Sequence, residues 1–290
     1  MCWRSVGNRK TLTFTKAHAY GNDFLYVLKR DVTGVALDAL ARELCERHTG
    51  AGADGLIAYE AVDGGASMRL LNADGSPSEV SGNGVRGLAA ILLRDDDAGD
   101  WREVTVRTDA GDKRLTRIGR HGARQTFRAA MGLPRDLRQI DASAGGESLQ
   151  LTVLNIGNPQ CIVLGPLPDL ERFRRLGPAL ERHAMFPEGT NVEFVQVEAP
   201  DRVRILIWER GVGPTTSSGT GSCASLIAAA AFGGAARDAI VIAPGGEQRV
   251  EWRDDSVYLT GWAEVLYDGT WLRDRNPRTP RQNPDRFLTP

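Results

Sequence analysis

Ser81-Gly82-Asn83-Gly84 opens the apolar run Val85 to Leu93, and Ser218-Gly219-Thr220-Gly221 stands before a second such run, Leu226 to Phe232. The two are one pattern repeated at an offset of about 136 residues. The same shift carries Gly21-Asn22-Asp23-Phe24 onto Gly157-Asn158-Pro159-Gln160, and Arg69-Leu70-Leu71-Asn72 onto Leu206-Ile207-Trp208-Glu209. It also brings Asp109-Ala110-Gly111 close to Pro244-Gly245-Gly246. One short match is chance. Four matches in the same order describe two copies of one fold, related by a pseudo-twofold. Such a molecule tends to place its site between the halves, where matching loops face one another. The two Ser-Gly-x-Gly loops are therefore the first candidates for chemistry.

A length of 290 residues suits two domains of ordinary size. The repeat divides the chain into an N-terminal lobe over 11–126 and a C-terminal lobe over 127–270, whose last strand is free to return to the first lobe. Residues 271–290 carry five arginines and four prolines from Arg273 onward, the composition of a disordered tail. A formal charge of −1 offers no basic field for nucleic acid or an anionic membrane. No stretch approaches 18 apolar residues, and Met1 to Lys10 has no apolar core of a secretory signal. Cys2, Cys45, Cys161 and Cys223 form no C-x-x-C pair and have no His cluster beside them, so neither a disulfide framework nor a metal site is expected. The chain reads as cytoplasmic and metal-free.

Short alternating runs predict strands at Leu12–Thr15, Phe24–Leu28, Leu56–Tyr59, Ser67–Leu71 and Glu103–Thr108. The second half answers with Leu151–Asn155, Ile162–Leu164, Val192–Val197, Val203–Trp208 and Ala239–Ala243. Helical spacing predicts Leu37–His48 and its counterpart Leu170–Arg182. The two helices that follow the Ser-Gly-x-Gly loops are apolar nearly all round, as a helix enclosed by sheet must be. The fold class is α+β: two pseudosymmetric β-rich lobes, each wrapping a central helix, with the site in the cleft between them.

Gly82-x-Gly84-x-x-Gly87, Gly219-x-Gly221-x-x-Ala224 and Gly50-x-Gly52-x-x-Gly55 satisfy the spacing of a dinucleotide-binding loop. Their context does not: the last precedes a strand, and the first is separated from its strand by the long turn Asn72 to Val80. The glycines of any one loop are equally explained by close packing of a buried helix. As a pair, two helix N-termini aim free N–H groups and positive dipole ends at one small carboxylate. Ser81 and Ser218 then occupy the N-cap positions, which serine often does for structural reasons alone. Asn22, Asn158 and Asn191 stand beside Gly or Pro turns, Asn72-Ala73-Asp74-Gly75 is a turn signal, and Glu209-Arg210 ends an apolar strand. Around one cleft they form the lining for a zwitterionic small molecule.

Lys16-Ala-His-Ala-Tyr-Gly-Asn-Asp-Phe24, Asn72-Ala-Asp-Gly75, Gly82-Asn-Gly-Val-Arg86, Gly157-Asn-Pro159, Glu209-Arg-Gly211 and Gly219-Thr-Gly221 together resemble the diaminopimelate epimerase family, over roughly Leu12 to Gly269. The resemblance implies a cofactor-independent amino-acid isomerase of two pseudosymmetric lobes, often a homodimer. One cysteine thiolate removes the α-proton and a second thiol returns a proton on the opposite face. It implies that Asn72 and Glu209 hold the α-amino group, and backbone at Gly82-Asn83 and Gly219-Thr220 the α-carboxylate. Asn22, Asn158, Asn191 and Arg210 would reach the distal end of the substrate, with Arg210 able to clamp a carboxylate through two parallel bonds. The departure lies in the acid–base pair. Ser81 and Ser218 stand where that family has its cysteines, Gln160 where a histidine is common, and Pro214 where an acidic residue is frequent. A serine hydroxyl needs an adjacent base. Ser218 has Glu209 as its candidate, giving Ser81, Ser218 and Glu209 as the expected catalytic set. Cys223, one turn into its helix, reads as a buried small residue.

Overall fold

Tyr20 and Gly21 both take left-handed backbone angles (φ 56° and 85°), which turns β2 (Arg9–Ala19) sharply back along β3 (Asn22–Leu28). The structure is a computed structural model and describes residues 4–6, 9–78, 81–96 and 102–274. A short β1 (Arg4–Val6) pairs with β2. After β3 come α1 (Leu37–Leu44), β4 (Gly55–Val62), β5 (Gly65–Asn72), β6 (Pro77–Ser78) and α2 (Gly82–Leu92). The half continues with β7 (Arg102–Thr108), β8 (Gly111–His121) and β9 (Arg124–Ala130).

The second half repeats the plan. It runs through β10 (Arg135–Ala144), β11 (Glu147–Asn155), β12 (Pro159–Leu164), α3 (Leu170–Glu181) and β13 (Asn191–Ala199). Then follow β14 (Arg202–Glu209), β15 (Gly213–Thr215), α4 (Gly219–Phe232), β16 (Asp238–Ala243), β17 (Gly246–Trp252) and β18 (Val257–Asp274). In both halves the third strand of the repeat is parallel to its predecessor: β3 with β4, and β12 with β13. Each parallel step is bridged by an outer helix, α1 or α3, as a crossover requires.

In the first half β2, β3, β4, β5, β7, β8 and β9 pair in turn, and β18 closes the ring by pairing with both β9 and β2. This eight-stranded barrel encloses α2, whose residues Asn83 through Ile91 are all buried. Tyr26, Ile57, Leu88 and Phe127 pack in that core. In the second half α4 is buried from Cys223 to Ala229, against Ile162, Val195, Ile205 and Val250. The outer helices bury one face each: α1 through Leu40 and Leu44, and α3 through Phe173, Leu176 and Leu180. The α+β class and the helix-in-sheet arrangement are as the sequence implies.

The differences have local causes. The expected helix Leu37–His48 stops at Leu44, because the Glu46 carboxylate accepts from His48 N and Thr49 N (2.8 and 2.7 Å) and shapes a turn instead. The helix expected to Arg182 ends at Glu181. β8, β9 and β10 were not foreseen: with Arg or Lys crowding the exposed face, their inward positions (Leu115, Phe127, Ala144) are widely spaced. The lobe boundary at 126/127 falls inside β9, which stays in the first barrel to Ala130. The expected tail at 271–290 begins inside β18, which remains paired to β2 through Asp274; residues 275–290 lie outside the described residues. No helix among the described residues is long and apolar enough to cross a membrane.

Candidate functional site

Ser81 and Ser218 occupy equivalent places. Each has extended backbone (φ −128° and −139°), and each Oγ accepts from the N–H of the second glycine of its loop, Gly84 or Gly221, at 3.1 Å. Both are N-caps, and the capping bond uses Oγ as an acceptor, so each O–H remains a donor. Ser218 is buried and Ser81 half-buried. Four residues into each helix lie Arg86 and Cys223, and these equivalent positions face each other. The buried Arg86 guanidinium acts on the Cys223 thiol, which burial pushes up to about 12 against that influence. The pseudo-twofold therefore passes between the first turns of α2 and α4. Cys223 is the inert buried residue the sequence suggested.

The first half-site is a chain of polar contacts. Asn83 Nδ2 donates to Asn22 Oδ1 (3.3 Å), and Asn22 Nδ2 donates to Asp54 Oδ2 (2.8 Å). Arg86 Nη1 donates to Asn83 Oδ1 (3.1 Å). Behind Asn22, Arg47 Nη2 bridges Asp23 and Asp54 at 2.8 and 2.7 Å, while Lys16 Nζ reaches Asp23 Oδ2 at 2.8 Å and the Gly52 carbonyl at 2.6 Å. Burial works to raise the Asp23 carboxyl, but Arg47 and Lys16 outweigh it and hold the group below its ordinary value. A depressed folded value means that its contribution is present above the unfolded carboxylate range and fades as pH falls through the lower folded value. Asp23→Asn is therefore expected to cost about 2–3 kcal/mol near pH 6. Melting curves of both proteins between pH 6 and pH 2.5 should converge as the pH falls; a gap that stays constant across that range would show that Asp23 is not ionised in this cluster.

The second half-site mirrors the first with different side chains. The Gln160 amide lies 2.7 Å from Asn158 Oδ1. Turned so that its N–H faces the buried Glu193, it donates to both carboxylate oxygens (3.0 and 3.1 Å), while its carbonyl accepts from Thr220 Oγ1 at 3.3 Å. We adopt that orientation because the alternative leaves the carboxylate of Glu193 facing an amide oxygen. Asn158 then turns its own amide to donate to Gln160. Asn191 Oδ1 accepts from Arg210 N at 2.9 Å. Glu181 supports the same turn, accepting from Gly211 N (2.9 Å) and Trp208 Nε1 (2.8 Å). Glu209 ends β14, and burial raises its carboxyl above the ordinary value.

One bond crosses between the halves at the site, and two more brace its ends. Thr216 Oγ1 donates to the Tyr20 carbonyl (3.4 Å), Gly245 N donates to the Thr216 carbonyl (2.8 Å), and Tyr20 Oη accepts from Trp262 N (3.1 Å). The turn that carries Asn22 is thus fastened to the segment that carries Ser218. The structure links Asn22 with Asn83, Asn158 with Gln160, Gln160 with Thr220, and Asn191 with Arg210. Two expected residues stand apart. Asn72 is exposed and bonds to Ser76 within its own turn (3.0 Å), and the exposed Arg210 guanidinium donates to the Glu188 carbonyl (3.2 Å). Glu193, Glu181 and Asp54 were missed. For Glu193 a signal existed: the internal repeat aligns it with Ile57, a polar-for-apolar exchange on a core strand.

The family model described as diaminopimelate epimerase matches residues 14–135 and 152–266. The diaminopimelate epimerase of Desulforudis audaxviator is 40% identical over 287 residues, covering 90% of this chain and 100% of that protein. That of Desulfitobacterium hafniense is 37% identical, covering 91% and 99%. Among solved structures, a probable proline racemase from Agrobacterium radiobacter K84 superposes with a TM-score of 0.68 at 18% identity, covering 93% of this chain and 94% of its own. That last likeness is one of fold.

Proposed function

Because this chain belongs to the diaminopimelate epimerase family, we propose that it is a cofactor-independent isomerase that moves the proton at the α-carbon of diaminopimelate and interconverts the LL and meso forms. The observation that carries the reading is full-length similarity to enzymes of that name, joined to a pair of equivalent N-cap side chains on converging helices. In this reading Ser81 and Ser218 occupy the two acid–base positions. Backbone at Gly82-Asn83 and Gly219-Thr220 holds the α-carboxylate, where two helix dipoles also favour the negative charge that builds as the α-proton leaves. Asn72 and Glu209 take the α-ammonium group. Asn22, Asn158, Asn191 and Arg210 reach the distal end, which asks Arg210 to swing from the Glu188 carbonyl. The enzyme works in the cytoplasm as a homodimer, in the supply of lysine and cell-wall precursors.

A second reading is favoured by one feature. Both capping oxygens are hydroxyls, and the amide of Gln160 is no base, so the scaffold could bind the amino acid without turning it over. Incubation with LL-diaminopimelate in deuterated water, followed by proton NMR, separates the two. Deuterium entering the α-position with formation of the meso isomer is the expected result. Entry with retained configuration means a one-sided centre. Binding in calorimetry with no deuterium entry means an amino-acid binder.

A further inference from the structure

Glu193 is fully buried on β13, with Ile162 of β12 and Ile207 of β14 directly beside it in the sheet. A carboxyl there is costly unless it does something, because burial of an unpaired charge or an unsatisfied acid is unfavourable. Packing alone does not ask for it. The equivalent residue of the first half is Ile57, and the two play the same steric part. A Cβ on Gly84 would meet Ile57 Cδ1 at 2.9 Å, and a Cβ on Gly221 would meet Glu193 Oε1 at 2.5 Å. The same point above Gly221 lies 3.0 Å from Ser218 Oγ. Glu193 and Ser218 thus flank one face of one glycine, where the first half has Ile57 and Ser81 around Gly84.

We propose that Glu193 is the proton reservoir of the second half-site, acting on the substrate α-carbon through the Ser218 hydroxyl. The inference rests on the epimerase reading and adds to it the group that makes a serine useful. In the forward step the Cα–H bond breaks and its electron pair stays on the substrate, delocalised into the α-carboxylate. The proton passes to Ser218 Oγ as the hydroxyl proton of Ser218 moves to the Glu193 carboxylate. For inversion the opposite face of the carbanion takes a proton from Ser81 Oγ, which solvent then restores; in the reverse reaction Glu193 returns its proton through Ser218. Glu193 touches no substrate atom. Gln160, donating to both of its oxygens, fixes the carboxylate in place.

Burial, with Glu209 beside it, holds the Glu193 carboxyl well above the usual carboxylate range. Three elements pack against it. β14 contributes Glu209, whose negative charge opposes ionisation, and β12 contributes the Cys161 thiol, itself raised by burial and by Glu193. α4 presents the uncharged Ser218 and Thr220. The base form is therefore scarce at low pH, and exchange should climb with pH as Glu193 ionises.

The test is α-proton exchange of LL-diaminopimelate in deuterated water from pH 5 to pH 10, for the unmutated chain, Glu193→Gln and Glu193→Asp, with binding measured by calorimetry. The expected result is that Glu193→Gln still binds but exchanges at least tenfold more slowly and loses the rising limb. Glu193→Asp should keep that limb at a reduced rate, which a purely structural role does not explain. If Glu193→Gln does not fold, the aspartate variant and a carboxyl 13C titration of the unmutated chain, labelled in glutamate, carry the test. A resonance titrating well above the usual range and displaced in Ser218→Ala supports the relay; its absence overturns it. Exchange within threefold of the unmutated chain in Glu193→Gln, with the same limb, overturns the inference and leaves the epimerase reading standing. No exchange in the unmutated chain overturns both.

Discussion

Replacing Ser81 and Ser218 together by cysteine is expected to speed inversion at the α-carbon by about 10²–10⁴-fold, the usual reach of a well-placed acid–base group. Each Oγ already sits at a helix N-terminus and accepts an N–H at 3.1 Å. A thiolate in the same place gains that bond and the dipole, both of which lower a thiol pKa toward neutrality. A hydroxyl begins far more basic and gains too little to ionise. Each single substitution should raise deuterium entry on one face more than it raises inversion, since inversion needs a proton donor on the opposite face. Chiral chromatography of the product, beside NMR of the α-position, resolves the two. A double variant that binds diaminopimelate and yields no meso isomer would falsify the assignment of these two serines to opposing faces of the substrate.

Gly87→Ala should strongly destabilise the first barrel. Its Cβ would stand 2.1 Å from Tyr26 Oη, and that hydroxyl donates to the Gly84 carbonyl (2.9 Å) in the buried core of the first barrel. Either α2 moves off the wall or the tyrosine leaves its place, and both break a buried hydrogen bond. Overpacking and the lost tyrosine hydrogen bond together cost about 3–5 kcal/mol, a fall in melting temperature of roughly 5–8 °C. Tyr26→Phe alone costs about 1–2 kcal/mol. In the double variant the clash is relieved at its nearest atom, so the two losses should fall short of their sum by about 1 kcal/mol or more. Strict additivity in denaturant titrations would mean that glycine and tyrosine do not meet as described.

The repeat made the architecture legible. A constant offset gave the pairing of α2 with α4 and of α1 with α3, and all-round apolarity gave their burial. Among the unforeseen strands, β8, β9 and β10 carry arginine on the outer face: Arg114 and Arg120 on β8, Arg124 and Arg128 on β9, Arg135 and Arg138 on β10. Arg117 shows why the pattern misleads. It is buried and donates to the Leu93 and Asp96 carbonyls (3.0 Å each), so a charged residue occupies an inward position. At the site, the turn residues Asn22, Asn158 and Asn191 were visible because turn chemistry is local. Asp54, Glu181 and Glu193 were not, because each matters through a partner distant in sequence: Asn22, Gly211 and Gln160. Only comparison of the two halves distinguishes Glu193 from an ordinary strand residue.

β18 is the last strand among the described residues and belongs to both halves. The register sets Glu264 opposite His18 and Asp274 opposite Arg9, so the first-made strand of the barrel finds its second neighbour only after all the intervening strands have been made. Until then β2 and β9 present open edges, which are templates for wrong pairing. On the ribosome the N-terminal half must therefore wait, α2 in place but its wall unfinished, and contacts of such long sequence separation close slowly. Cutting the chain between the repeats would yield one fragment with a gap in its wall and another with an unmated strand, so these two copies of one fold have become a single cooperative unit that no longer comes apart into its halves.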